Sequence, residues 1–494
     1  MLRTRLPEQL LLIQKLLLQI PYPGNKERTM SAEAETFRDQ VATIDKEGKR
    51  VWVFPAKPRG RFYLSRTHLS ILYLIVFFTL PFVKTEGHPF FLINILERKF
   101  ILFGQIFWPQ DFFIFGLGMI IFIVFIALFT VVFGRVFCGW ACPQTVFMEM
   151  VFRKVEYWIE GDGAQQRLLA KAPWDGKKIR KKILKWTLFW MISFIIANTF
   201  LAYIIGVDEL KKIITGPIGK HLGGLSSLLI FTSIFFGVYA WFREQVCTVV
   251  CPYGRMQGVL LDKNSINITY DHSRGEQRSK FRKNEERTSG DCIDCYQCVK
   301  VCPTGIDIRN GTQLECINCT ACIDACNNMM RAVGLQEGLI RYASENNITN
   351  KTPFKFTRRM KAYMAVMVIL VGVLVYLLVS RTDVGISVLR TPGQLYQQKD
   401  GYISNLYNYR LLNKTYHDKA LEFKPENFTG TIQLVGEESL KIKSENTTSG
   451  SLFITIPEKK ITERKTELRI GVYEDGKKIK VVTTAFLGPF LIND

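Results

Sequence analysis

The sequence is organised around two cysteine runs, which read Cys292-x-x-Cys295-x-x-Cys298-x-x-x-Cys302-Pro303 and Cys316-x-x-Cys319-x-x-Cys322-x-x-x-Cys326. Three thiolates at this spacing surround one face of an iron–sulfur cubane, and in tandem runs the fourth cysteine ligates the other cluster. The runs therefore predict two 4Fe–4S clusters. The predicted ligands are Cys292, Cys295, Cys298 and Cys326 for cluster 1, and Cys316, Cys319, Cys322 and Cys302 for cluster 2.

Zinc is the alternative partner for closely spaced cysteines. Structural zinc pairs are usually separated by longer loops and do not need three cysteines in one short run, so the spacing favours clusters. One position departs from the bacterial ferredoxin pattern, because Asn327 follows Cys326 where that pattern has proline. We expect the chain path after Cys326 to differ and the ligand to stay the same.

Composition places these clusters in a membrane protein. Of the 494 residues, 48% are hydrophobic and 13% are aromatic, concentrated in long blocks. The net charge of +21 comes from basic residues that flank these blocks and do not form a stripe on a nucleic-acid-binding fold, so we expect no nucleic-acid partner. The twelve cysteines all fall in four short motifs, which indicates reduced, ligand-bearing thiols without structural disulfides.

Five apolar segments predict transmembrane helices. They are residues 69–83, 112–132, 186–206, 225–242 and 363–380. The first is short and contains Pro81, so it requires Arg66 and Lys84 to extend their side chains to the interface.

The distribution of lysine and arginine predicts the orientation. Residues 135–182 contain ten of them and residues 243–361 eighteen, whereas residues 84–110 and 207–223 contain three each. The N-terminus, the 135–182 loop and the clusters are therefore predicted in the cytoplasm, and the segment after Ser380 outside.

The predicted domains follow from the spans. Residues 1–68 form a cytoplasmic arm, 69–245 carry the first four spans, 246–362 form an inserted ferredoxin-like cluster domain, 363–380 form the fifth span, and 381–494 form a C-terminal domain. Within the arm, residues 10–20 are too short to span a membrane. An amphipathic surface helix is one interpretation, and a translation start at Met30, which leaves 1–29 untranslated, is the preferred one. Residues 88–109 are expected to lie along the outer interface.

Two further cysteine pairs stand where the second and fourth spans end. Each has i, i+4 spacing and is followed by proline: Cys138 and Cys142 before Pro143, and Cys247 and Cys251 before Pro252. We expect each pair on one helical face, the proline to start the next helix, and the two pairs to be a degenerate repeat whose thiols converge. Soft thiolates select copper(I), zinc or an iron–sulfur centre. The alternatives are a dithiol that cycles as a disulfide, and buried inert cysteines.

The C-terminal segment has the pattern of a β-sandwich of roughly a hundred residues. Alternating runs occupy 429–435, 439–442, 451–456 and 466–473, and Asp475-Gly476 separates the last from 478–484 as a strong hairpin signal. The segment has no cysteine and one histidine, His417. We therefore expect docking on an outer partner and no metal site of its own.

These motifs closely resemble the cytochrome c oxidase accessory protein family CcoG, also called FixG or RdxA. The resemblance rests on residues 138–145, 152–162, 197–203, 247–254 and 290–316, and covers about residues 35–494. It implies a multi-pass inner-membrane protein with an immunoglobulin-like periplasmic domain. It also implies assembly of the cbb(3)-type haem–copper oxidase through reduction of copper(II) to copper(I), with oxidase subunits and copper-delivery proteins as partners.

Other soft or polar side chains are assigned structural roles. His88 and His221 are expected to be surface or hydrogen-bonded residues and not ligands of copper or quinol. Met329 and Met330 are expected to be apolar cover over a cluster. Three carboxylates beside the cluster ligands are expected to be solvated: Asp294, Asp307 and Asp324.

Three functions fit these features. The first is a metalloreductase that passes single electrons to copper at the candidate copper or redox thiols Cys138, Cys142, Cys247 and Cys251. The second is a membrane ferredoxin that relays electrons between quinol and a partner enzyme, and the third is a non-catalytic, cluster-bearing scaffold. Because no G-x-G-x-x-G opens a helix after a strand, electrons are expected from an outside donor that the sequence does not identify. The sequence does not determine the oligomeric state, and a homodimer is one alternative.

Overall fold

A computed structural model of the protein describes residues 42–44, 47, 49–85, 87–95, 99–108, 111–217, 219, 221–282, 288–353, 355–393, 396–436, 440–461 and 463–489. It divides into a short N-terminal unit, Met1–Val53, and a main unit, Phe54–Asp494. In the short unit Ile44 pairs with Arg50 in an antiparallel bridge. The predictions about residues 10–20 and Met30 lie outside the described residues.

In the described part of the chain, five helices are long and apolar enough to cross a membrane. They are Arg61–Phe82, Phe112–Phe133, Gly176–Ile205, Leu222–Phe242 and Arg358–Val379, called the first to fifth spans below. Each overlaps one predicted segment, so the prediction of five apolar helices is confirmed. The first span begins earlier than predicted and ends in a 3-10 turn, Leu80–Phe82, that contains Pro81.

The third span also begins earlier than its apolar stretch. Its N-cap residue is Asp175, whose carboxylate accepts the backbone N–H of Lys178 at 2.8 Å. This cap satisfies a free N–H of the first turn, so the lysine-rich segment is the start of the same helix.

Aromatic packing joins the first, third and fourth spans. Phe152, in the loop after the second span, stacks on Tyr239 of the fourth span with ring centroids 4.5 Å apart. It also meets Phe189 of the third span at 4.8 Å. The second span instead packs against the fifth, through Val131 and Met360.

Short helices follow the second and fourth spans. After the second come Val136–Trp140, Pro143–Thr145, the π-helix Val146–Phe152, Arg153–Ile159 and Gly163–Lys171. Val207–Thr215 lies between the third and fourth spans, and the π-helix Val246–Val250 and Pro252–Leu260 follow the fourth.

The segment with the cysteine runs is built on a small antiparallel sheet. Its strands are Asn267–Tyr270 and Ile340–Ala343, and their register pairs Asn267 with Ala343. The helices between and beside them are His272–Gly275, Gln297–Lys300, Ile308–Asn310, Ala321–Ala332 and Glu345–Thr349.

Residues between the first two spans form small sheets. Lys84–Thr85 pairs with His88–Pro89, and Phe91–Asn94, Lys99–Leu102 and Gln105–Phe107 form a three-stranded antiparallel sheet. His88 stacks on Tyr416 of the C-terminal domain with ring centroids 4.0 Å apart. Lys99 Nζ lies 2.7 Å from Glu445 Oε2. His88 is therefore a packing residue against the C-terminal domain, while His221 is the N-cap residue of the fourth span.

The C-terminal domain is a β-sandwich of two antiparallel sheets. In one, the strands follow the order Thr431–Leu434, Thr447–Pro457, Tyr402–Asn413 and Val384–Arg390, with Gln397–Lys399 also on Tyr402–Asn413. In the other, the order is Leu440–Ile442, Lys419–Pro425, Lys465–Glu474 and Lys477–Leu487. The predicted hairpin is confirmed, because Glu474 pairs with Lys477 across Asp475-Gly476.

A buried network of charges ties the loop after the second span to the third and fourth spans. Glu156 accepts hydrogen bonds from Arg243 at 2.7 and 2.9 Å and from Lys185 at 3.0 Å. Lys185 also reaches Glu160 at 3.2 Å. Burial alone would raise the pKa of Glu156, but the neighbouring Arg243, Lys185 and Arg153 lower it to about 2.

We expect Glu156→Gln to destabilise the protein by about 3–5 kcal/mol, because it leaves buried cations without their partner. Thermal unfolding of the purified protein in detergent measures this, and Glu209→Ala, which breaks an exposed pair with Lys212, is the control. Since the folded pKa of Glu156 is depressed, its stabilisation is present above about pH 4.3 and is lost as the pH falls toward 2. Equal melting temperatures for wild type and Glu156→Gln would contradict this role.

Candidate iron–sulfur centre

The eight cysteines of the two runs line two adjacent cavities. Cavity 1 is lined by Cys292, Cys295, Cys298 and Cys326, and cavity 2 by Cys302, Cys316, Cys319 and Cys322. This is the grouping expected from exchange of the fourth cysteine. Cys298 also borders cavity 2, so the cavities share a wall.

The backbone around the middle cysteine of each run has the same left-handed conformation. Asp294 and Tyr296 flank Cys295 with φ of 52° and 57°, and Asn318 and Thr320 have φ of 54° and 67° in the second run. Alternation of left-handed and right-handed residues turns successive N–H groups toward one side, and such nests bind anions and Fe–S clusters.

Backbone N–H groups beside the sulfurs favour the thiolate forms. Those of Asn318 and Ala321 lower the pKa of Cys316 and Cys319, and those of Thr304, Gly305 and Ile306 lower the pKa of Cys302, against the larger effect of burial. These donors suit thiolates that carry negative charge in a cluster. The residues present therefore fit 4Fe–4S clusters in both cavities.

The thiols are buried deeply enough that binding must displace protons. Burial raises the pKa of Cys298, Cys316 and Cys326 to about 12. Without a positively charged cluster these groups would stay protonated near neutral pH, so cluster loading releases protons.

A single metal ion requires its ligands to converge on one point, which the cysteines of a cluster do not do. No three His, Cys, Asp or Glu side chains converge on one metal ion among the residues that the structure describes. A cubane holds its cysteines on different irons, so its sulfurs stand further apart than four ligands of one zinc ion. The lack of a single-ion site among the described residues therefore does not count against cluster ligation by the two cysteine sets.

The two runs differ after their last cysteine. The helix Gln297–Lys300 ends before Cys302, whereas Ala321–Ala332 continues past Cys326. Asn327 permits this continuation, which proline would interrupt, and its side chain accepts the N–H of Gly338 at 2.9 Å.

The expectation that the neighbouring carboxylates are solvated is wrong for Asp324, whereas Asp294 and Asp307 are partly exposed. Asp324 is buried and accepts the backbone N–H groups of Phe62 at 3.1 Å and Tyr63 at 2.7 Å, so it caps the first span. The sequence gives little indication of this cap, because Asp324 and the backbone N–H groups of Phe62 and Tyr63 lie far apart along the chain.

Asp294 and Asp307 share one cation. Arg309 binds Asp294 at 2.5 Å and Asp307 at 2.6 Å, and its guanidinium lies 4.0 Å from the Tyr296 ring centroid. Arg309 also lines cavity 1, together with Met329 and Met330. Met330 is fully buried, as the prediction of apolar cover requires.

The two Cys-Pro pairs form equivalent turns. The two cysteines of a pair do not lie on one face of a continuous helix, as was expected. Cys138 lies in Val136–Trp140, and Cys142 is the extended N-cap of the helix that Pro143 begins. Cys247 lies in the π-helix Val246–Val250, and Cys251 is the extended N-cap of Pro252–Leu260. The prediction that proline starts the next helix is confirmed, and the helix break between the two cysteines is the correction.

The four thiols of these pairs lie close enough to interact electrostatically. Burial and the neighbouring thiols of Cys142, Cys138 and Cys251 together raise the pKa of Cys247 to about 12, although Arg135 lowers it. The Cys138 thiol donates to Gln257 Oε1 at 3.0 Å, and Arg135 Nε donates to the same oxygen at 3.0 Å.

The Cys138 turn contacts the second run directly. A Cβ atom at Gly139 would lie 2.3 Å from the carbonyl oxygen of Ile317, so only glycine fits there. From the other pair, Cys247 lines a small cavity together with Pro303 and Thr304, which follow Cys302. The thiol pairs thus lie against the loops that form cavity 2.

Comparison with known proteins identifies each of these parts. Residues 115–161 match the family model of a 4Fe–4S binding domain, and residues 242–345 that of a 4Fe–4S dicluster domain. Residues 374–489 match the model of an Ig-like fold at the C-terminus of FixG. Together with the five apolar helices, these matches define a membrane-bound iron–sulfur electron-transfer protein.

Three relatives cover most of the chain. Protein RdxB of Cereibacter sphaeroides is 35% identical over 74% of this chain and 80% of its own length. Protein RdxA of the same organism is 32% identical over 89% of this chain and 98% of its own. Nitrogen fixation protein FixG of Rhizobium meliloti is 30% identical over 89% and 93%. The chain belongs to the FixG/RdxA family.

We expect Cys302→Ser and Cys326→Ser to damage different clusters. Cys302→Ser should shift the reduction potential or lower the occupancy of the centre in cavity 2, and Cys326→Ser that of the centre in cavity 1, because each cysteine lines the other run's cavity. EPR-monitored redox titration of both variants beside wild type measures this. If the Cys302→Ser variant lost EPR signal only from the centre bound by Cys292, Cys295 and Cys298, the assignment would be refuted.

Proposed function

We propose that this protein reduces copper(II) to copper(I) for the maturation of a cbb(3)-type cytochrome c oxidase. The observation that carries the proposal is the shared cavity of Cys247 with Pro303 and Thr304. Soft thiols that favour copper(I) thereby lie beside the predicted ligand Cys302 of cluster 2. The choice of the oxidase rests on the resemblance to the oxidase accessory proteins.

The chemistry requires one electron for each copper ion. When bound, the two 4Fe–4S clusters supply one-electron carriers, and copper is the substrate. The chain's own part is to hold the copper against cavity 2, with thiolates of the two Cys-Pro turns as its ligands. Copper binding to Cys138 or Cys247 must release the thiol proton, because burial raises the pKa of both groups.

The turns are held in place by fixed hydrogen bonds and ion pairs. Arg135 and Cys138 both donate to Gln257, and Arg243, before the second pair, is fixed by Glu156. A rigid scaffold of this kind suits a site that must bring copper close to an electron carrier.

Orientation and partners complete the proposal. Clusters and thiol pairs face the cytoplasm, and the sandwich faces the periplasm, where it docks on an oxidase subunit or a copper-delivery protein. This orientation rests on the lysine and arginine counts. Electrons come from a separate donor, and the protein acts as a monomer or homodimer in the inner membrane.

We expect Cys142→Ser and Cys251→Ser to retain full iron content and reducible cluster spectra. Each should slow the reoxidation of reduced clusters by copper(II) by more than about tenfold, since even outer-shell partners of metal sites change affinity by that much. Anaerobic stopped-flow absorbance measures the reoxidation, and Thr248→Ala, between Cys247 and Cys251, is the control. In cells, both cysteine variants should leave the oxidase short of copper, with partial rescue by added copper.

The alternatives predict different results. Wild-type rates of copper reduction in both cysteine variants would refute the thiol site. If quinol analogues oxidise or reduce the clusters, and do so equally in the same variants, the quinol relay is favoured. If the oxidase still assembles normally after the clusters are lost, a scaffold is favoured.

A further inference from the structure

A cavity of about 360 Å³ lies where the C-terminal sandwich meets the second and fifth spans. Apolar side chains of the spans form part of its lining, including Phe113 and Leu377. Four basic side chains from the segment after the fifth span and from the sandwich also line it: Arg381, Arg410, Lys414 and Lys480.

The cavity has a surplus of positive charge. The one carboxylate among its described lining residues, Asp111, is already bound by Arg381 Nη2 at 3.1 Å and by Lys414 Nζ at 2.6 Å. Four cations and one carboxylate leave a surplus of three positive charges. Arg410 and Lys480 are exposed, so they are accessible to a ligand.

Arg381 is held rigidly at this site. Its guanidinium lies 4.5 Å from the Phe107 ring centroid and donates to the carbonyl oxygen of Ile106 as well as to Asp111. Its Nε atom is buried and has no hydrogen-bond partner among the described residues. A buried donor without a partner is unfavourable, which indicates that an acceptor absent from the protein chain belongs here.

The position of the cavity decides the class of ligand. It lies at the ends of the second and fifth spans, where the hydrocarbon core of a membrane would meet the aqueous phase. Phe113 is 57% exposed on the second span, so it would face acyl chains. A ligand that fits both parts has an acyl chain and a negatively charged head group.

We propose that this cavity binds the phosphate of an anionic phospholipid. Guanidinium groups match phosphate oxygens with paired hydrogen bonds, and basic residues at the membrane surface attract anionic lipids. The acyl chains lie along the apolar side chains of the second and fifth spans. A bound lipid then links the sandwich to these two spans.

The test uses the full-length protein in nanodiscs that contain phosphatidylglycerol and phosphatidylcholine. Native mass spectrometry of the protein released from the nanodiscs measures the lipid that remains bound. We expect wild type to retain phosphatidylglycerol preferentially, and Arg410→Ala/Lys480→Ala to bind it roughly 25-fold more weakly, since each basic residue contributes about a factor of five. The control, Lys441→Ala/Lys465→Ala, removes the same charge from exposed positions on the strands Leu440–Ile442 and Lys465–Glu474, which do not line the cavity, and should bind as wild type does.

A second measurement separates a lipid from a free anion. Phosphatidylglycerol should raise the melting temperature of wild type and of the control more than that of Arg410→Ala/Lys480→Ala, and millimolar inorganic phosphate should not replace it. Equal retention by wild type and Arg410→Ala/Lys480→Ala, equal retention of phosphatidylcholine, or displacement by inorganic phosphate would each overturn the proposal.

Discussion

The close contact between Gly139 and the second cysteine run is the constraint on which the arrangement of the site depends. The Cys138 turn and the Ile317 loop meet with no space for a side chain between them. Gly134 has a similar role at the end of the second span, because its φ is +57° and a Cβ there would lie 1.8 Å from Asn267 Oδ1. These contacts hold the Cys138 turn against cavity 2 and join the second span to the iron–sulfur part of the protein.

The buried charges serve the same arrangement from the other side. Buried ion pairs add little net stability, because desolvation offsets their attraction, but removal of one partner is costly. Glu156 contacts Arg243 and Lys185, which belong to segments far apart in the sequence. The network therefore determines how the fourth span and its Cys-Pro turn sit on the loop after the second span, more than how stable the protein is.

Much of this organisation could be predicted from local sequence patterns. The cysteine spacing, the five apolar blocks and the Asp475-Gly476 turn are each readable within about twenty residues, and the structure has the corresponding helices and hairpin. Features that depend on distant partners were missed. Asp324 looks like a solvated carboxylate in its own run, and only its contact with Phe62 and Tyr63 shows that it caps the first span.

The first strands of the sandwich were missed for a different reason. Tyr402–Asn413 alternates between inward and outward positions, but Asn405 points inward and donates to the carbonyl oxygen of Leu487 at 2.9 Å. A polar residue in the buried series hides the period-two pattern. The break between Cys138 and Cys142 was missed because i, i+4 spacing assumes a continuous helix, whereas Pro143 here begins a new one.

The central claim is that the two cysteine runs hold two 4Fe–4S clusters in adjacent cavities that share the wall at Cys298. EPR spectroscopy of the anaerobically purified, dithionite-reduced wild-type protein, with iron and sulfide analysis of the same sample, tests it most directly. The account predicts iron and sulfide for two clusters in each chain and a spectrum broadened by magnetic interaction between two neighbouring paramagnetic centres. Iron for a single cluster, or two centres without any interaction, would contradict it.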